Sequence, residues 1–207
     1  TTTVNLAASL AHLGKRVLLI DLDPQANATM GSGVDKGHLK HSVYSLLIGK
    51  STVREVLHSS ETGRFDLLPA CRDLGGAEVE LVDVEHREVR LKHALAELAD
   101  EYDYALIDCP PALNLLTLNG LVAANAVMIP MQCEYYALEG LTDLVNTLKR
   151  IKLSLNRKIE IEGLLRTLYD PRSTLTQQVS GELVEHFGSK VYTSIIPRNV
   201  RLAEAPS

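Results

Sequence analysis

The chain has 207 residues, of which 45% are hydrophobic and 23% charged, which suits one soluble α/β domain with its own core. No apolar run approaches the roughly 18–20 residues a membrane-crossing helix needs, and the opening Thr1-Thr2-Thr3 lacks the basic-then-apolar pattern of a signal peptide. The formal net charge of −5 weighs against a broadly basic nucleic-acid-binding surface, though it permits a local basic patch, and Cys71, Cys109 and Cys133 have no spacing that suggests a disulfide framework or a zinc site, so a reducing cytoplasm is expected.

In chain order, Val4 to Leu13 predicts a small-residue helix stopped by Gly14. Arg16 to Asp23 carries the run VLLI, too short for a helix and framed by charge, and predicts a buried strand. Val43 to Ile48 and Val53 to His58 predict short helices, Phe65 to Pro69 a strand, and Val89 to Ala99 a helix with clear apolar periodicity. Tyr104 to Asp108 predicts a strand that runs into Pro110-Pro111. Leu115 to Asn125 predicts a helix, Val127 to Met131 a strand, and Leu138 to Leu155 a long amphipathic helix. A strand at Ile161 to Leu168, a helix at Leu175 to Phe187 and a strand at Val191 to Pro197 complete the pattern. Apolar strands alternating with helices imply a mostly parallel, doubly wound sheet with helices on both faces. No repeat, low-complexity tract or linker interrupts it, so a single domain over 1–207 is expected.

In such sheets ligands gather at the carboxyl ends of the strands. Asp21 and Asp23 close the first strand at i and i+2, where alternating side chains can share one crevice. Carboxylates there can orient a water, hold magnesium through water or accept a proton; the plainer reading is a turn in which Asp23 caps a helix with Pro24 at its first position. Ala105-Leu106-Ile107-Asp108 has the Walker B shape, whose carboxylate helps to hold magnesium. Pro110 and Pro111 stiffen the segment beyond Asp108, as a switch that moves as a unit requires.

A wider resemblance rests on blocks in register along the whole chain. Thr1 to Ala11 resembles the helix that follows the deviant Walker A loop of the ParA/Soj partitioning family, in the MinD/ParA superfamily of P-loop NTPases. Val17 to Ala28 (VLLIDLDPQANA) resembles that family's switch I, and Tyr102 to Ala112 (YDYALIDCPPA) its Walker B and switch II. Ile129 to Gly140 and Ile196 to Ser207 resemble two further family blocks.

The resemblance implies a cytoplasmic, nucleoid-associated ATPase that uses ATP and Mg2+, forms a sandwich homodimer with ATP, binds DNA without sequence preference, and hydrolyses ATP when a ParB-like partner stimulates it. It assigns Asp23 to positioning the attacking water, Asp108 and Asp21 to the magnesium environment, Leu168, Pro197 and Asn199 to packing around the adenine, and Arg172 and Arg201 to DNA contact. In the preferred register Thr1 follows the magnesium-binding threonine. The expectation is therefore a domain truncated at both ends, without its first strand and phosphate loop, and inactive by itself. A MinD-like membrane-associated ATPase is the alternative; it would need a C-terminal amphipathic helix. A dethiobiotin synthetase-like ligase would need a small-molecule pocket, and an iron–sulfur carrier ATPase a cysteine pair at a dimer interface. The stretch Lys149 to Lys158 is as well explained by a solvated helix face as by a DNA contact.

Overall fold

A computed structural model describes residues 1–199, with side chains at all of them except 135–137. The chain divides into two compact units, Thr1–Ala124 and Asn125–Ser207. The first runs α1 (Thr2–His12), β1 (Val17–Asp21), α2 (Asn27–Gly31), α3 (Val43–Leu47), α4 (Val53–Val56), β2 (His58–Ser60), β3 (Phe65–Leu68), α5 (Ala77–Glu80), α6 (Arg90–Leu95), β4 (Tyr104–Asp108) and α7 (Leu115–Ala123). The second runs β5 (Ala126–Gln132), α8 (Tyr135–Ser154), β6 (Glu160–Tyr169), α9 (Thr174–Phe187) and β7 (Val191–Pro197).

In the first unit the strands lie in the order β2-β3-β1-β4, with β1 parallel to both neighbours and β2 antiparallel to β3. All of β1 is buried, and its side chains alternate between two cores. Leu18 and Ile20 face one cluster with Val43, Leu47, Val53, Leu91 and Leu116 from α3, α4, α6 and α7. Val17 and Leu19 face another with Ala7 of α1, Ala28 of α2, and Phe65 and Leu67 of β3. An uninterrupted apolar strand is what burial on two faces demands. Gly14, at φ 78°, ends α1 in the left-handed conformation that glycine adopts without a Cβ penalty.

In the second unit β5, β6 and β7 are parallel in that order. Ile129, Met131 and Cys133 of β5 and its end share one cluster with Leu141 of α8 and with Val179 and Leu183 of α9. The mostly parallel α/β architecture agrees with the sequence reading.

Several elements depart from that reading, among them the short helices α2 and α5, which it did not contain. The helix expected over Val89 to Ala99 is α-helical only at Arg90–Leu95, with short 3₁₀ turns at Arg87–Val89 and Ala96–Leu98; Leu91 and Leu98 are nevertheless both buried, which is all the periodicity required. The strand β2 is an addition to the expected pattern, because His58–Ser60 is short and polar and its place depends on the turn to β3, where the Ser60 hydroxyl accepts the Gly63 N–H at 3.1 Å.

Candidate functional site at the strand ends

Parallel pairing of β1 with β4 sets Asp21 directly opposite Asp108, and the Leu22 N–H donates to the Asp108 carbonyl at 2.8 Å. The two carboxylates that the sequence singled out therefore end neighbouring strands. Asp108 Oδ1 accepts the hydroxyl of Thr3, from the first turn of α1. Sequence reasoning missed Thr3; the only signal was a run of hydroxyl residues at a helix start.

Asp21 is fully buried. Its Oδ2 accepts both the backbone N–H and the hydroxyl of Thr29, each at 2.8 Å, and its Oδ1 accepts the Asp23 N–H at 3.0 Å. Burial pushes its pKa up to about 6. The three hydrogen bonds oppose that rise, and the neighbouring Asp108 charge adds to it. Asp23 is half-buried in the turn beyond, where its Oδ1 accepts the Gln25 N–H at 3.0 Å. It does not cap a helix: the residue preceding α2 is Ala26, held at φ 56°. The turn thus leaves the Asp23 carboxylate on the strand-end side of the sheet, with its backbone tied to Asp21.

Among the described residues no group of three or more His, Cys, Asp and Glu side chains converges on a point that could hold a metal. Magnesium does not require one, because it keeps several waters and takes only one or two carboxylates alongside phosphate oxygens. Two adjacent carboxylates and a threonine hydroxyl form a hard-oxygen set of that kind. Of the two, Asp108 is the more available, since both Asp21 oxygens already face N–H and O–H donors.

The Pro110-Pro111 segment after β4 is anchored from α7. Asn114 caps that helix by accepting the Thr117 N–H at 3.1 Å, and the Thr117 hydroxyl donates to the Ala112 carbonyl at 2.6 Å. Gly120 brings α7 close to the strand ends: a Cβ there would lie 2.8 Å from Cys109 Sγ and 3.1 Å from a Leu22 methyl. Burial first, then the Asp108 and Asp21 charges, pushes the Cys109 thiol up to about 12. A thiol so held is a packing group rather than a reactive one.

In the second unit a cleft of about 480 Å³ opens between the ends of β5 and β6 and the start of α9, lined by Gln132, Cys133, Glu134, Leu168, Asp170, Ser173, Leu175, Thr176 and Arg198. Leu168 lies in it, with φ 50° at an irregularity in the β6–β7 pairing. A branched side chain held in the left-handed region is a strain that surrounding structure must sustain. Pro197 ends β7 opposite Tyr169, and Asn199 follows it; neither lines the cleft, whereas Arg198 does. Arg198 donates its N–H to the Tyr169 carbonyl at 3.0 Å and lies 3.9 Å from Glu134 Oε1. Sequence reasoning passed over it between two residues that it chose.

Arg172 is exposed and folds back on Asp170, bonding both carboxylate oxygens through Nε at 3.0 Å and an η nitrogen at 2.9 Å. That guanidinium holds Asp170 down at about 2. Arg201 lies outside the described residues. Lys149 and Arg150 are exposed on α8, and Lys152 lies 3.7 Å from Glu160. Among the described residues, no helix is long and apolar enough to cross a membrane.

A family model described as an AAA domain matches residues 1–161. The chain is 63% identical over 207 residues to an uncharacterized protein of Pseudomonas putida, covering all of this chain and 79% of that protein. It is 51% identical over 207 residues to the sporulation initiation inhibitor protein Soj of Bacillus subtilis, covering all of this chain and 82% of Soj. Among solved structures, cobyrinic acid a,c-diamide synthase from Mycobacterium smegmatis, with bound ATP analog and magnesium, superimposes with a TM-score of 0.90 at 39% identity, covering 99% of this chain and 84% of that one.

Proposed function

The chain belongs to the ParA/Soj family of partitioning ATPases, and from that footing we propose that it is the nucleotide switch of a DNA-partitioning system, hydrolysing ATP with magnesium. The observation that carries this reading is the pairing of Asp21 with Asp108 at adjacent strand ends, with Thr3 on Asp108 and Asp23 one turn beyond.

Each residue has a role that its surroundings support. Asp108 would hold the magnesium that accompanies ATP, and Thr3 fixes its carboxylate plane. Magnesium, when bound, neutralises charge on the phosphates. Asp23 orients the attacking water; its carboxylate is half-buried, and its backbone is immobilised by Asp21. Asp21 supports this arrangement more than it ligates. Leu168, Pro197 and Asn199 pack around the adenine, and Arg198, in the cleft beside Leu168, joins them as a donor.

The ATP-bound form is a homodimer that binds duplex DNA without sequence preference through Arg172 and Arg201, in the cytoplasm on the nucleoid, and a ParB-like partner stimulates its hydrolysis. Phosphate contacts carry no sequence information, which suits such binding. Arg172 has only an exposed pair to give up when it meets a phosphate. A metabolic ligase is the second reading, favoured by the likeness to the Mycobacterium smegmatis synthase; it requires turnover that depends on a small acid or amide co-substrate.

The test is made in the intact protein. Asp23→Ala should bind ATP and dimerise yet hydrolyse on the order of 100-fold more slowly, whereas Asp108→Ala should lose magnesium-dependent ATP binding. Full hydrolysis by Asp23→Ala would refute its assignment. Arg172→Ala with Arg201→Ala should flatten the dependence of log affinity on log salt, by roughly 0.9 for each phosphate no longer neutralised. An unchanged slope would move the DNA surface, with Lys149 to Lys158 next to be tested.

A further inference from the structure

We propose that Thr29 is a positioning residue for hydrolysis, acting through Asp21 on Asp23; this rests on the reading of Asp23 as the water-orienting carboxylate. Thr29 is fully buried in α2. Its hydroxyl makes two directed bonds. It accepts the Ala70 N–H at 2.9 Å, just past the end of β3, and donates to Asp21 Oδ2 at 2.8 Å. The Thr29 N–H reaches the same oxygen at 2.8 Å. The other Asp21 oxygen takes the Asp23 N–H at 3.0 Å. One continuous chain therefore runs from the end of β3, through a hydroxyl and a buried carboxylate, to the backbone of Asp23.

Each link is constrained in direction. Ala70 can only donate, so the Thr29 hydroxyl proton is left for Asp21, and the ionised carboxylate can only accept. The carboxylate plane is thereby set by Thr29, and the plane sets where the Asp23 N–H must lie. The far side of the turn is fixed as well: the Ala26 N–H donates to the Asp23 carbonyl at 2.8 Å, and Ala26 itself is held in the left-handed region at φ 56°. A non-glycine residue persists there only where its surroundings over-determine the backbone. Such a turn presents the Asp23 carboxylate in one orientation, and Thr29 is the group that ties the turn to the end of β3. A methyl in place of the hydroxyl would keep the packing but leave the Ala70 N–H unsatisfied and release one edge of the Asp21 plane.

The experiment compares Thr29→Val, Thr29→Ser and Asp23→Ala in the intact protein, measuring steady-state ATP hydrolysis with magnesium and duplex DNA. Thr29→Val should lower kcat on the order of 10- to 100-fold, as small misplacements of catalytic groups do, with KM changed by no more than about twofold, because binding does not pass through this chain. Thr29→Ser should restore kcat, since it keeps the hydroxyl. Thr29→Val added to Asp23→Ala should cost nothing further, because both act through the same carboxylate. An unchanged kcat in Thr29→Val, a serine variant no better than the valine one, or an additive double mutant each overturns the proposal. Normal hydrolysis by Asp23→Ala overturns the underlying reading instead, so the two failures are distinguishable. If Thr29→Val does not fold, Thr29→Cys, whose thiol is a weak donor, is judged by the same kcat and KM criteria.

Discussion

Asp21 and Asp170 both stand at the carboxyl end of a parallel strand, and the fold treats them in opposite ways. Asp21 ends β1 inside the first unit, fully buried and held by neutral donors, and burial carries its pKa up to about 6. Asp170 follows β6 near the surface of the second unit, and the Arg172 guanidinium carries its pKa down to about 2. Three hydrogen bonds do not offset loss of water around Asp21, whereas three from Arg172, two of them from its guanidinium, are enough for Asp170, which keeps its access to solvent. Position at a strand end therefore does not define a carboxylate's chemistry; solvent access and the sign of the nearest charge do. The first unit keeps a tightly determined polar network beneath packed apolar faces, and the second keeps adjustable surface pairs beside a cleft.

The largest effect expected from this contrast is in pH dependence. Folded Asp21 titrates near 6 against an ordinary 3.8, so folding disfavours its charged form, and stability should fall as pH rises from about 4 to 6, by on the order of 3 kcal/mol. Asp170 has the opposite sign: its contribution is present above about 4 and is lost as pH falls toward 2. Urea unfolding from pH 3 to 7 should show the downward slope between 4 and 6 in the wild type and lose it in Asp21→Asn. A slope that persists in that variant belongs to another group.

Next in size is Gly120→Ala. The added Cβ would meet Cys109 Sγ at 2.8 Å and Leu22 at 3.1 Å, and should cost about 1–3 kcal/mol of stability by overpacking. Gly163→Ala applies the same test to the second unit, against the Tyr192 ring at 2.6 Å and the Lys190 carbonyl at 3.0 Å. Thermal unfolding should show a lowered Tm for each variant; an unchanged Tm would mean that the neighbouring side chain yields to the added methyl.

Leu168→Gly should be smaller. Relieving φ 50° gains about 1 kcal/mol, but the freer unfolded chain takes part of that back and removing a partly buried side chain loses about 1–2 kcal/mol of apolar burial. Stability should therefore fall slightly, while ATP affinity, measured by titration calorimetry, falls when the leucine side chain is removed. The smallest effect belongs to Asp170→Asn. It should lower the urea midpoint only slightly, because the pair with Arg172 is exposed and screened by solvent, and should tighten DNA binding by freeing the guanidinium. Weaker DNA binding in that variant would assign Asp170 the role of orienting Arg172.

The parallel α/β pattern, most strand positions and the placing of Asp21, Asp23 and Asp108 at or just beyond strand ends were legible in the sequence, because they follow from local rules: VLLI bounded by charge and alternation along a strand. Local rules also place Gly14 at the end of α1, since a left-handed residue is a local requirement. The bonds between residues far apart in the chain had to await the folded arrangement. Thr3 reaches Asp108 across 105 positions, and Ala70 reaches Thr29 across 41. No periodicity or motif encodes a hydrogen bond between such partners. Its donor and acceptor are brought together by β1 pairing with β3 and β4, and only then does burial make the bond worth more than one to water. The left-handed Leu168 was likewise unreadable, because nothing in the strand sequence from Leu164 to Tyr169 marks it and it lies at the irregular pairing of β6 with β7.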